Sequence, residues 1–157
     1  MPQITPSLWF DTNGLAAAEF YISIFPNSAV KNVHYYGDAG PRDAGTVLMV
    51  EFSLDGQDFI AINGGPQFTF DEAISFTIHC ADQAEVDHYW AKLTDGGEEG
   101  QCGWLKDRYG LSWQVVPDEM GDVLGDPDPV RAQRAMQAML GMSKLDLAAL
   151  RAAADGA

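Results

Sequence analysis

Polar and apolar positions change rhythm along this chain in a repeating order. Ile4 to Phe10 alternates as a strand does, with Ser7 and Trp9 on one face and Leu8 and Phe10 on the other. The rhythm then slows: Leu15, Ala18, Ile22 and Phe25 recur at helical spacing, which predicts a helix from Leu15 to Phe25. Asn13 stands where a cap belongs, and Pro26 ends the run. A strand from Ala29 to Tyr36 follows, then a loop of Gly, Asp and Pro from Gly37 to Gly45. Thr46 to Leu54 reads as a strand with Leu48, Val50, Phe52 and Leu54 facing one way. Asp55-Gly56 signals a hairpin into Asp58 to Asn63, whose Phe59, Ala61 and Asn63 share a side.

The second half begins the same way. Ile74, Phe76, Ile78 and Cys80 face one side of a strand, and Ser75, Thr77 and His79 face the other. Asp82 and Glu85 form a capping-box pattern before a helix whose stripe is Val86, Tyr89, Trp90 and Leu93, ended by Gly96-Gly97. Cys102 to Lys106 and Leu111 to Val116 are two strands around the turn Lys106-Asp107-Arg108-Tyr109-Gly110, stopped by Pro117. Ser112, Gln114 and Val116 share one face of the last strand, and Trp113 and Val115 the other. Gln114 is then a polar group on a rigid element among apolar neighbours, either a satisfied amide or part of a ligand site. The order is strand, helix, three strands, then strand, helix and at least two strands: an internal duplication in arrangement rather than in residues. Beyond it, Asp126-Pro127-Asp128-Pro129 starts a helical tail, with stripes from Val130 to Met142 and from Ser143 to Ala154. Such a helical pair cannot bury its stripe unaided and must pack on its own domain or on a partner subunit.

This pattern predicts one α+β domain over residues 1–157, with paired βαβββ modules at about 1–66 and 67–117 and extra C-terminal helices over 118–157. A chain of this length buries roughly 70% of its unfolded surface, so a sizeable core is expected. The formal charge of −14 opposes binding to nucleic acid or anionic lipid and offers no long-range pull on anions. No apolar run approaches the length of a membrane span, and Met1-Pro2-Gln3-Ile4 opens no signal peptide, so a cytoplasmic protein is expected. Cys80 and Cys102 make neither a disulfide framework nor a zinc knuckle and read as small buried hydrophobes. The acidic residues Asp118, Glu119, Asp122, Asp126 and Asp128 lack the glycine-centred spacing of a calcium loop and read as helix caps.

The paired modules resemble the vicinal oxygen chelate superfamily of glyoxalase I, bleomycin-resistance proteins and extradiol dioxygenases. Ile4-Thr5-Pro6, Trp9-Phe10, Ala18-Glu19-Phe20-Tyr21 and the run from Gly96 to Pro117 are similar to its PhnB-like branch, which often carries the inherited name 3-demethylubiquinone 3-methyltransferase. The likeness is expected to span nearly the whole chain, tail helices included. It implies a cupped mixed sheet, pairing of modules within or across chains, and hence a C2 homodimer. In the superfamily's metalloenzymes, first and last strands of each module ligate one divalent ion. Those positions fall here at Ser7, Ala61, Ser75 and Gln114. Divalent catalytic ions want imidazole or carboxylate, so no tight metal is expected, and no cofactor.

Trp9, Phe59, Asn63, Trp104 and Gln114 are expected to converge in the cup as ligand-binding residues, with His79 on the concave side. His79 and Gln114 are the candidate catalytic groups; His34 and His88 read as surface residues. Three functions compete. The first is a metal-free protein holding a small hydrophobic or aromatic molecule. The second is an enzyme of unknown chemistry in the same pocket, and the third is the methyltransferase of the inherited name. The last is disfavoured because Asp11-Thr12-Asn13-Gly14 after the first strand holds one glycine, where a nucleotide-binding sheet has a glycine-rich loop.

Overall fold

The computed structural model describes all 157 residues, Met1 to Ala157. Contacts group them into two compact units, Met1–Thr69 and Phe70–Ala157.

In the first unit, β1 (Ser7–Phe10), α1 (Gly14–Ile22), β2 (Ala29–Tyr35), β3 (Val47–Leu54) and β4 (Gln57–Asn63) follow the predicted order. The four strands form one sheet in the order β1-β4-β3-β2. β1 runs parallel to β4, and the other pairs are antiparallel. The Asp55-Gly56 reversal is built as expected, with both residues at positive φ, 47° and 79°. β1 starts at Ser7 rather than Ile4, because its ladder opens with Ser7 beside Ile60. α1 stops at Ile22, three residues before the predicted end, and the chain turns through Ser23 to Phe25 on bonds to Glu19 and Tyr21 carbonyls. Leu8, Phe10, Ala17, Ala18, Tyr21, Val50, Phe52, Phe59 and Ala61 form the core between helix and sheet, with Phe52 stacked on Phe59 and Tyr21.

The second unit holds β5 (Ser75–Cys80), α2 (Gln83–Thr94), β6 (Glu98–Glu99), β7 (Trp104–Lys106) and β8 (Ser112–Pro117), ordered β5-β8-β7-β6. The parallel pair is again first strand against last, β5 with β8. The module therefore has its third strand; β6 is two residues long, too short for any alternation to reveal. The capping box forms: Asp82 accepts from the Glu85 N–H, while Glu85 reaches back to the Ala81 N–H. Val86, Trp90, Leu93, Leu105, Trp113, Val115 and Cys80 are buried on the helix side.

Within this unit the tail forms α3 (Met120–Leu124), α4 (Pro129–Leu140) and α5 (Leu147–Ala154). Asp128 caps α4 and Asp146 caps α5 through their carboxylates. The apolar stripes close on the unit itself: Met120, Val123, Ala135, Leu145, Leu150 and Ala154 form one cluster, with Val116 of β8 packed against it. α5 starts later than predicted because Ser143 to Leu145 serve as a seam. Cys102 and Gly103 donate their N–H groups to the Met142 and Ser143 carbonyls, and the Gln83 side-chain amide donates to the Leu145 carbonyl and accepts from the Leu147 N–H. The same seam explains why β7 begins at Trp104: Cys102 and Gly103 sit at φ 59° and 85° and leave the strand.

Candidate functional site

The face of each sheet turned away from its helix is where a ligand site can form, and strand register decides which residues occupy it. In the second unit, pairing sets Glu98, Lys106, Ser112 and Ser75 side by side across β6, β7, β8 and β5. The next row on the same face is Trp104, Gln114 and Thr77. His79, beside Val116, continues that face. The structure thus brings Trp104 and Gln114 together, as the alternation suggested.

A cavity of about 420 Å³ opens over these rows, lined by Trp104, Leu105, Lys106 and Ser112 on β7 and β8, and by Glu72, Glu98, Glu99, Gly100 and Gln101 around its rim. Lys106 pairs with Glu72 at the edge. The hydrogen bond from Lys106 holds the Glu72 carboxyl below the usual carboxylate range, and the same bond with the Glu72 charge raises the Lys106 ammonium. Glu99 accepts from the Trp90 indole N–H at 2.9 Å. Gln114 donates to the Ser75 hydroxyl at 2.9 Å. Ser112 is 0% exposed, and its hydroxyl oxygen has no hydrogen-bond partner. A buried polar atom left unpaired costs about 1–3 kcal/mol, so it marks either strain or a place for a missing partner. Sequence reading put Ser112 on the Gln114 face but did not single it out. The carboxylates at 72, 98 and 99 were missed because loop and two-residue strand give no periodic signal.

The turn below this site is rigid. Asp107, 3% exposed, accepts from the Tyr109 and Leu111 N–H groups through one oxygen and from the Trp113 indole N–H through the other, at 2.8, 3.1 and 2.9 Å. Trp113 is thereby fixed, and with it the phase of β8 that points Ser112 and Gln114 to the open face.

The expected convergence of Trp9, Phe59 and Asn63 is corrected within the first unit. Leu8 lies beside Ala61 and Phe10 beside Asn63, so the odd positions of β4 share the face of the even positions of β1. Phe59 and Asn63 are buried on the helix side, and Trp9 is on the opposite face beside Ile62. Asn63 is committed to structure. Its oxygen accepts from the Gly14 N–H at 2.8 Å, and its amide donates to the Thr12 and Val47 carbonyls at 3.1 and 3.2 Å. It thus caps α1 across the fold, while Asn13 makes no side-chain cap. Asn63 also lines a second cavity of about 600 Å³, with Thr12, Arg42 and Asp43. Trp9 is held by its own unit: its indole N–H donates to the Gly65 carbonyl at 2.9 Å, and Phe68 meets its ring edge-on at 5.0 Å. A Cβ on Gly64 would lie 2.2 Å from the indole, so only glycine admits the ring there.

His79 points outward, its side chain 74% exposed and its Nδ1 4.0 Å from an Asp118 oxygen. His34 hydrogen-bonds Glu51 on the strand surface at 2.9 Å. Burial pushes the Cys80 thiol up to about 12, aided by the Glu85, Asp118 and Asp82 charges, which keeps it inert at neutral pH. The residues at the superfamily's ligand positions do not fit a divalent ion. Ala61 faces α1, the open-face neighbours of Ser7 and Trp9 are Ile60 and Ile62, and Ser75 and Gln114 bond to each other. No group of three or more His, Cys, Asp or Glu side chains is placed to hold a metal.

Against known proteins, residues 2–116 match the family model described as 3-demethylubiquinone-9 3-methyltransferase. No curated protein matches. Among solved structures, a PhnB protein from Bacillus cereus, named as a candidate 3-demethylubiquinone-9 3-methyltransferase, is 33% identical over 74% of this chain and 99% of its own, with a TM-score of 0.68. Protein PA1353 from Pseudomonas aeruginosa is 20% identical over 75% of this chain and 98% of its own, TM-score 0.62. The fosfomycin resistance protein FosX from Listeria monocytogenes is 15% identical over 74% and 93%, TM-score 0.51. The last two likenesses concern the fold alone. The family match stops at Val116, so the tail helices fall outside it, contrary to the expectation that the likeness includes them.

Proposed function

The chain belongs to the family described as 3-demethylubiquinone-9 3-methyltransferase, the PhnB-like branch of the vicinal oxygen chelate superfamily, and from that premise we propose that it binds a small aromatic or hydrophobic molecule without a metal. The observation that carries this reading is the cavity of about 420 Å³ on the open face of the second unit, with Trp104 as its aromatic wall and charged groups around its rim. The donor set supports the metal-free part, since two hydroxyls, an alanine and one amide stand where imidazoles and carboxylates would be needed.

Methyl transfer has less support. Each sheet has one parallel pair among its four strands, so neither offers the run of parallel strands and glycine loop that seats a nucleotide-like cofactor in doubly wound enzymes. An unidentified reaction on the same face would draw on Gln114 or His79, which stand beside the cavity and not in its lining. We also propose that the protein acts in the cytoplasm as a C2 homodimer. The outer side of α4 supports pairing, because Val130 and Leu140 are 54% and 60% exposed there. No helix is long and apolar enough to cross a membrane.

A thermal-shift screen tests the function directly, because ligand binding to the native state raises the melting temperature. Aromatic compounds are expected to raise it in the wild type and to lose that effect in Trp104→Ala. A shift with S-adenosylmethionine alone would overturn the proposal. A stoichiometric transition metal in protein purified without chelator would overturn its metal-free part, and a monomer in sedimentation at micromolar concentration would overturn the dimer.

A further inference from the structure

We infer that the ligand of the second unit's cavity is a small organic cation, an aromatic amine that also carries a hydrogen-bonding group at its other end. This rests on the binding reading above and adds the ligand's charge and polarity. The only cationic side chain lining the cavity is Lys106, and its charge is already answered by Glu72. An anion entering there would find no uncommitted positive charge. Glu98 stands beside Lys106 in the register on the open face, whereas Glu99 pairs with Leu105 and turns to the helix side, its carboxylate held by the Trp90 indole. One carboxylate beyond the Lys106–Glu72 pair therefore remains at one end of the cavity to meet a positive charge. Between it and β8 lies Trp104, whose ring face attracts a flat body and tolerates a nearby cation. The −14 charge of the chain draws cations toward such a rim.

The other end is set by Ser112. Ser112 lines the cavity, and its hydroxyl is buried with no partner in the protein. Two strand spacings separate it from Glu98 along the shared row, about 10 Å at the backbone. Side chains reaching inward shorten that span to the length of a phenolic amine. An amine group at Glu98, a ring on Trp104, and a hydroxyl or N–H at Ser112 match the charge, the aromatic wall and the unpartnered hydroxyl of the cavity.

Four matched probes test this: tyramine, its neutral alcohol tyrosol, the anion 4-hydroxyphenylacetate, and phenethylamine, which lacks the phenol. Binding is read from the Trp104 indole N–H signal by NMR. Tyramine is expected to bind about tenfold more tightly than tyrosol or the anion at low salt. Glu98→Gln, or high salt, should bring that preference within about threefold. Ser112→Ala should lower tyramine affinity to that of phenethylamine, leave phenethylamine unchanged, and leave the melting temperature of the free protein unchanged or raised. Tyrosol or the anion binding as tightly as tyramine would overturn the cation while leaving an aromatic site. Tyramine binding unaffected by Ser112→Ala would overturn the second contact. No response of Trp104 to any probe up to about 10 mM would overturn the binding reading as well.

Discussion

The two modules share strand order, parallel first and last strands, and one helix each, yet they spend their buried polar groups differently. In the first, Asn63 at the end of β4 ties the start of α1 and the first residue of β3 into the core. Its open face is filled from within: Trp9 lies on Gly64 and against Phe68, and Lys31–Asp58 and His34–Glu51 pairs span the strands. In the second, Asp107 locks the β7–β8 turn, and the face above it keeps a cavity with an unpartnered hydroxyl. The comparison teaches that a duplicated frame need not duplicate a site. The same topology gives one half whose open face its own side chains occupy and one half whose open face keeps a cavity over an unpartnered hydroxyl.

The sharpest way to break the second module is Asp107→Ala. It removes three hydrogen bonds to a buried carboxylate and orphans the Trp113 indole, so a loss of about 3–5 kcal/mol is expected in denaturant unfolding. The matching change in the first module, Asn63→Ala, leaves the Gly14 N–H and two carbonyls without their partner and should cost about 2–3 kcal/mol by the same measurement. Gly64→Ala drives a methyl into the Trp9 ring and should cost about 1–3 kcal/mol, with altered Trp9 signals and an undisturbed Trp104. If Trp104 responds as strongly as Trp9, the two halves are not finished independently.

The smallest effect expected is on pH. Glu72 titrates below the usual carboxylate range in the folded protein, so its pairing with Lys106 contributes above that range and is lost as pH falls through the lowered value. Lys106 titrates above the usual lysine range, so its share persists below that range and is lost as pH rises through the raised value. The melting-temperature difference between wild type and Glu72→Gln should therefore be flat across neutral pH and shrink at both extremes.

Alternation and spacing made the element order legible, because each strand with one buried face writes its period into the sequence. The Asp82–Glu85 box and the Asp128 cap were readable for the same local reason. What alternation does not carry is the register between neighbouring strands. Face assignment within β4 was right, but matching it to β1 required knowing that Asn63 lies beside Phe10, and Phe59 and Asn63 were set with Trp9 for want of it. The cap on α1 was hidden for a related reason: its acceptor is 49 residues away from Gly14. The rim carboxylates lie on β6 and a loop, where no periodic pattern exists to be read.

The seam between the β7 approach and the tail has a consequence for how the chain matures. Cys102 and Gly103 lend their amides to Met142 and Ser143, and Val116 is roofed by residues from helices that come after it. A nascent polypeptide can complete its first module as soon as Phe68 has emerged. Its second module must wait with those amides hydrated and that roof missing until α5 has left the ribosome. The interval between these two events is when the growing chain is most open to chaperones and proteases.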